Sequence, residues 1–169
     1  MNTDLLLQAY QLKSLSRAGW VRSGIAHPES VAAHSWGMSF LCLTLCPEEL
    51  NTQRVLELAI LHDLVEVHTG DITPHDPVSK AEKKARERKA ALQLFAERHD
   101  FLAIWQEYED HQTAESRFVH QIDKLDMALQ AIVYEQNEDF DGKEFIDSAK
   151  RAVHDPSLQT LLKKVLDRD

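Results

Sequence analysis

Glycine and proline are scarce, five of each in 169 residues, about half their usual share. Sandwiches and barrels need many tight turns built from those residues, so an all-β fold is excluded. Cysteine is scarcer still. Cys42 and Cys46 lie four apart in an apolar run, which is no disulfide framework and reads as a reduced, cytoplasmic chain. No apolar run approaches the ~18 residues of a membrane span. The opening MNTDLLLQ is too short and too acidic for a secretory signal. Positive charge is in deficit, with 19 Lys and Arg against 28 Asp and Glu and a net charge of −9. A phosphate backbone repels such a chain, so neither nucleic acid nor a membrane is an expected partner. A small anionic ligand stays open where positive charge, such as a metal ion, is local.

What is present is ordinary globular material, 43% apolar and 28% charged, which excludes global disorder. The length suits one domain over residues 1–169. Periodicity is helical nearly throughout. Leu5, Leu6, Tyr10, Leu12 and Leu15 repeat at three-to-four spacing, with Thr3 as cap and Gly19 as stop. Residues 20 to 29, with Gly24 and Pro28, read as a loop. A helix from about Ser30 to Cys46 ends at Pro47, and the next starts near Asn51 and continues through HDLVEVHTG to Gly70. DITPHDPVS is a loop, and Ser79 with Glu82 forms a capping box before a charged helix with a solvated face. That helix ends at His99-Asp100, and a short aromatic helix follows. A long helix runs from about Ala114 to Gln136, and two shorter ones close the chain, the last opening with Asp155 and Pro156. The expected architecture is all-α, a single bundle of about seven or eight helices. Trp36 and Trp105 read as packing residues.

Nine histidines are many for this length, and the dipeptide His-Asp occurs four times. Three of the four sit in loops or at helix ends. His62-Asp63 instead follows the apolar run VLELAIL and precedes Leu64 and Val65. Ionisable groups in a buried helix cost free energy unless paired, hydrogen-bonded or bound to a metal. Glu66 lies one turn further on, and Asp71 just past the expected helix end. His34 interrupts the apolar face of Val31, Met38 and Leu41, and Asp123 sits between Ile122 and Leu125. Singly, each could be a hydrogen-bonded core residue. Together, two histidines and two aspartates on three core helices are a suitable inventory for a divalent metal. Mixed nitrogen and oxygen donors suit Mn, Fe, Co, Ni or Zn better than Ca.

The order His34, then His62-Asp63, then Asp123 resembles that of the HD-domain metal-dependent phosphohydrolases. The stretches LKSLSRAGWV, PESVAAHSW, HDLVEVHTGDI, AEKKARER and WQEYEDHQTAESRFVHQIDKLDMALQA are similar to the 5′-deoxynucleotidase branch of that family, over about residues 10 to 140. The resemblance implies an all-helical, usually dimeric enzyme that hydrolyses deoxyribonucleoside 5′-monophosphates. It implies His34, His62, Asp63 and Asp123 as ligands of a divalent cation (Mn, Co, Fe, Ni, Zn or Mg). It implies Glu66 as a proton-transfer group, Arg17 as the phosphate-binding arginine, Asp71 at the sugar hydroxyl and Trp20 as the wall of the sugar pocket. The resemblance also implies an alternative, in which Glu66, Asp71 and the carbonyl of Ile72 instead hold a second ion. One departure is Ala33, where many relatives carry an acidic residue. Two other readings compete. One is an HD hydrolase of cyclic, triphosphate or signalling nucleotides, and the other a non-enzymatic, metal-containing helical scaffold.

Overall fold

Side-chain caps set where most of the long helices begin. The computed structural model describes residues 3–167, and among them lie ten helical segments. They are α1 (Thr3–Gln11), α2 (Ala18–Arg22), α3 (Val31–Leu45), α4 (Thr52–Leu61), α5 (Glu66–Thr69), α6 (Lys80–Leu94), α7 (His99–Asp110), α8 (Ala114–Asn137), α9 (Lys143–Ala152) and α10 (Pro156–Leu166). Ser30, Asn51, Ser79, Thr113 and Asp155 each accept a hydrogen bond from a backbone N–H of the first turn of the helix they precede. Each such cap contributes about 1 kcal/mol. The only strand-like pairing among the described residues is one bridge, Ser16 to Ser30.

Eight of the ten segments have nine or more residues, which agrees with the all-α bundle expected. The two short ones, α2 and α5, correct the expected boundaries. α1 ends at Gln11 rather than at Gly19, and Gly19 lies inside α2, where a β-carbon would press against Phe145. α4 does not run on to Gly70. It stops at Leu61, and residues 61 to 68 make i→i+3 bonds, Leu64 to Leu61, Glu66 to Asp63 and His68 to Val65. That tighter winding turns the chain before α5. His99-Asp100 likewise opens α7 instead of ending α6.

α8 is the central helix, packing against α3, α4, α7, α9 and α10. Its apolar stripe (Phe118, Val119, Ile122, Leu125, Ala128) is fully or nearly fully buried. Val31, Met38 and Cys42 from α3 and Val55, Leu58 and Ala59 from α4 close the core on it. A second cluster gathers Trp20, Ile25, Ala131, Tyr134, Phe145 and Ile146. Where α3, α4 and α8 meet, the core lining switches from hydrocarbon to His34, His62 and Asp123. Trp105 is buried as expected, but Trp36 is not. It is 71% exposed, because position 36 lies off the face defined by residues 31, 34, 38 and 42.

Candidate functional site

Three core helices deliver four metal-type donors to one point. His34 comes from the second turn of α3, His62 and Asp63 from the tight turn after α4, and Asp123 from the middle of α8. His34 Nε2 lies 3.3 Å from Asp123 Oδ1 and 3.7 Å from Asp63 Oδ2. His62 Nε2 lies 3.0 Å from Asp63 Oδ2. A ligand atom from each of His34, His62 and Asp123 falls within 4.8 Å of the others.

The two imidazoles are already oriented. His62 Nδ1 is 2.9 Å from the Ala59 carbonyl oxygen, which only accepts, so Nδ1–H donates and Nε2 keeps its lone pair. His34 Nδ1 is 2.8 Å from Asp126 Oδ2. Both Nε2 atoms are buried without a hydrogen-bond partner of acceptable geometry, despite the carboxylates near them. Buried polar atoms are rarely left unpaired. Donors arranged around a common centre rather than bonded to one another are what a shared cation requires, so these residues fit a divalent metal ion. The His34 ring is pushed up to about 9. Burial and Arg17 oppose its charge, but the Asp123 and Asp126 carboxylates outweigh them.

Beside the donors opens a cavity of about 610 Å³, lined by Arg17, Trp20, Glu66, Asp71, Lys83 and Lys124 among others. Arg17 precedes α2, and its Nη1 reaches Asp63 Oδ2 at 3.3 Å and Asp71 Oδ1 at 3.8 Å. Burial opposes its charge, yet Asp63, Asp71 and Asp123 together raise its pKa further. Burial likewise opposes ionisation of Asp63, but His62, Arg17 and His34 hold it below the usual carboxylate range. Glu66 behaves oppositely. It is buried, Oε2 has no partner, and burial with the Asp63 and Asp71 charges raises it well above an ordinary glutamate. Asp71 Oδ2 accepts the Ala18 N–H at 2.7 Å, which ties the end of α5 to the start of α2. Trp20 is both core and wall. Its ring packs on Phe145 and Tyr134, and its indole N–H donates to Glu29 Oε1 at 2.9 Å.

Every site residue expected from sequence therefore borders this cavity or the donor cluster. The Ile72 carbonyl, expected at a second ion, accepts from Lys83 Nζ at 2.8 Å. Three residues escaped the sequence reading. Lys124 donates to Asp123 Oδ2 at 2.8 Å, Lys83 reaches back from the charged α6, and Asp126 binds the far side of His34. Ala33 is exposed, so the carboxylate at His34 comes from α8. The spacing of Asp126, one turn after Asp123 in an apolar stretch, was the available clue.

A sequence model of the HD domain matches residues 9–161. The chain belongs to the HD domain family. Among curated relatives of this HD domain is the zebrafish (Danio rerio) protein named 5′-deoxynucleotidase HDDC2. It is 40% identical over 162 residues, covering 92% of this chain and 81% of that protein. Among solved structures, the PH0347 protein of Pyrococcus horikoshii OT3 superposes with a TM-score of 0.84 at 31% identity, covering 96% of this chain and 97% of that one. A predicted metal-dependent phosphohydrolase from Magnetospirillum magnetotacticum MS-1 gives 0.78 at 26% identity, over 98% and 89%.

Proposed function

We propose that this protein, a single HD domain over its whole length, is a metal-dependent 5′-deoxynucleotidase. It converts deoxyribonucleoside 5′-monophosphates to deoxynucleosides and phosphate. One observation carries the reading. Four donors and a half-buried arginine meet beside a cavity of nucleotide size, in a chain 40% identical to a protein bearing that activity in its name.

His34, His62, Asp63 and Asp123 hold the divalent cation, which when bound neutralises phosphoryl oxygens and brings the pKa of water towards neutrality. The other steps belong to the chain's own groups. Arg17, fixed in its charged form, presents a planar fork to two non-bridging oxygens of the phosphate. Glu66, whose buried carboxyl is raised above an ordinary glutamate by desolvation and the Asp63 and Asp71 charges, is the group that passes a proton to the departing 5′ oxygen. Asp71, anchored by the Ala18 N–H, faces the sugar hydroxyl. Trp20, held by Glu29 and by its aromatic neighbours, forms a rigid sugar wall. Lys124 and Lys83 add local positive charge, so a dianion is accepted despite the overall −9. A second ion at Glu66, Asp71 and Ile72 has to displace Lys83 from the Ile72 carbonyl.

The test is phosphate release from paired ribo- and deoxyribonucleoside 5′-monophosphates, with and without chelator. Deoxy substrates are expected to turn over at least about tenfold faster, as for a pocket that rejects one added hydroxyl, and chelator should stop the reaction. Chelator-insensitive release, or release from triphosphates or cyclic nucleotides in preference, would overturn the reading.

The proposal includes a cytoplasmic homodimer. Cys42 and Cys46 are both free thiols, and among the described residues no helix is long and apolar enough to cross a membrane. On α3, Trp36, Phe40 and Leu43 form an exposed stripe opposite the ligand face, with the Trp36 and Phe40 rings stacked. Such a patch favours burial against a second copy. Trp36→Asp is expected to halve the mass measured by light scattering at micromolar concentration. A wild-type monomer, or a variant that stays dimeric, would refute this interface.

A further inference from the structure

Asp126 is a buried carboxylate to which the proposed chemistry gives no role. It lies one turn beyond Asp123 on α8, 8% exposed, with Oδ2 2.8 Å from His34 Nδ1. The other nitrogen of the same ring, Nε2, faces Asp123 Oδ1 at 3.3 Å. A single helix thus addresses both nitrogens of one imidazole, through carboxylates spaced three residues apart.

We propose that Asp126 is the positioning residue of His34, and that Gly37 is the gap that admits it. The inference rests on His34 being a metal ligand. A carboxylate only accepts, so the hydrogen stays on Nδ1 and the lone pair of Nε2 would be left free for a metal ion. The adjacent anion also makes the imidazole a stronger donor. The nearest rival is Glu29, with a carboxylate oxygen within 4.8 Å of a ring nitrogen of His34 and a carboxylate oxygen of Asp126. Glu29 accepts the Trp20 N–H instead, which leaves Asp126 as the group on the ring.

Gly37 supplies the second observation. Glycine is disfavoured inside a helix, yet it occupies the middle of α3, one turn after His34. A β-carbon there would collide with Asp126 Oδ1, far inside any real contact. The aspartate side chain is short, so swinging Oδ1 clear of that carbon also pulls Oδ2 off Nδ1. The small residue on α3 and the carboxylate on α8 form one lock around the ring.

The experiment measures Co²⁺ affinity of the full chain by competition with a chelating dye, together with the visible spectrum of the bound ion. Asp126→Asn, nearly isosteric, is expected to weaken binding about 10- to 100-fold and to alter the spectrum, with the metal-free melting temperature recorded alongside. Gly37→Ala, which touches no ligand, should weaken binding comparably. In an Asp126→Ala background the same Gly37→Ala change should shift affinity less than about twofold, because no carboxylate remains to be displaced. Wild-type affinity and spectrum in Asp126→Asn would overturn the positioning role while leaving the site standing. A Gly37→Ala effect of equal size in both backgrounds would overturn the lock. Unchanged affinity in His34→Ala would remove the ligand itself, and the proposal with it.

Discussion

Asp63→Ala is expected to lose the bound ion and to lower kcat/KM by about four orders of magnitude or more, the scale seen when a principal catalytic group is deleted. The size follows from how much meets at one oxygen. Asp63 Oδ2 lies 3.0 Å from His62 Nε2, 3.7 Å from His34 Nε2 and 3.3 Å from Arg17 Nη1. Removing it deletes one proposed donor of the cation and the ion pair that holds Arg17, the proposed phosphate-binding arginine, beside the cavity. A stability effect accompanies it in the metal-free protein. Burial disfavours the Asp63 charge, yet His62, Arg17 and His34 hold its folded-state pKa below the ordinary value. A depressed carboxylate contributes stability that is present above the unfolded pKa and lost as pH falls through the folded one. The variant should therefore melt below wild type at neutral pH, and the gap should narrow on acidification. Metal content by plasma emission, phosphate release and thermal melts check the three parts. A folded Asp63→Ala protein with wild-type metal content and turnover would end the assignment.

The candidate ligands were legible as a buried polar cluster because each breaks a hydrophobic rule. His34 interrupts an apolar helix face, Asp123 sits between Ile122 and Leu125, and His62-Asp63 interrupts an aliphatic run, so burial without a partner would be costly. The turn that aims them was not legible. From Val55 to Thr69 no glycine or proline intervenes, so periodicity continues α4 through a stretch that actually tightens into i→i+3 bonds. Trp36 misled for a different reason. Its bulk suggested packing, although the periodicity that put His34 inward already put residue 36 outward.

The residues around the candidate ligands depend on tertiary approach, and only the spacing of Asp126 marks any of it locally. α6 is largely a solvated face, as its charge pattern implies. Its Lys83 nevertheless bends back to the Ile72 carbonyl, eleven residues away in sequence and across the cavity rim. Lys124 and Asp126 flank α8 residues whose roles already satisfied the pattern, so their polarity asked for no further account. Sequence thus exposes groups that violate burial on their own helix. It hides groups such as Lys83, whose partner is brought near only by the fold.

Glu66→Gln is expected to cut kcat by about 10²- to 10⁴-fold, the range for loss of a general acid, while the ion stays bound at its four donors. In the metal-free protein the same change should raise stability. Glu66 is buried, and desolvation with the Asp63 and Asp71 charges lifts its carboxyl well above the usual range, against weaker pulls from Arg17 and Lys83. A folded-state pKa raised above the unfolded one gives stability that is full below the unfolded value, about pH 4, and is lost as pH rises through the folded value. Glutamine fills the same space and never ionises, so it escapes that loss. The advantage of the variant should be absent near pH 4 and grow towards pH 8 in chelator-treated melts. Wild-type turnover would remove Glu66 from the proton path. A stability gain at pH 4 that disappeared at pH 8 would mean that its charge is welcomed rather than opposed, and the acid role would lose its physical basis.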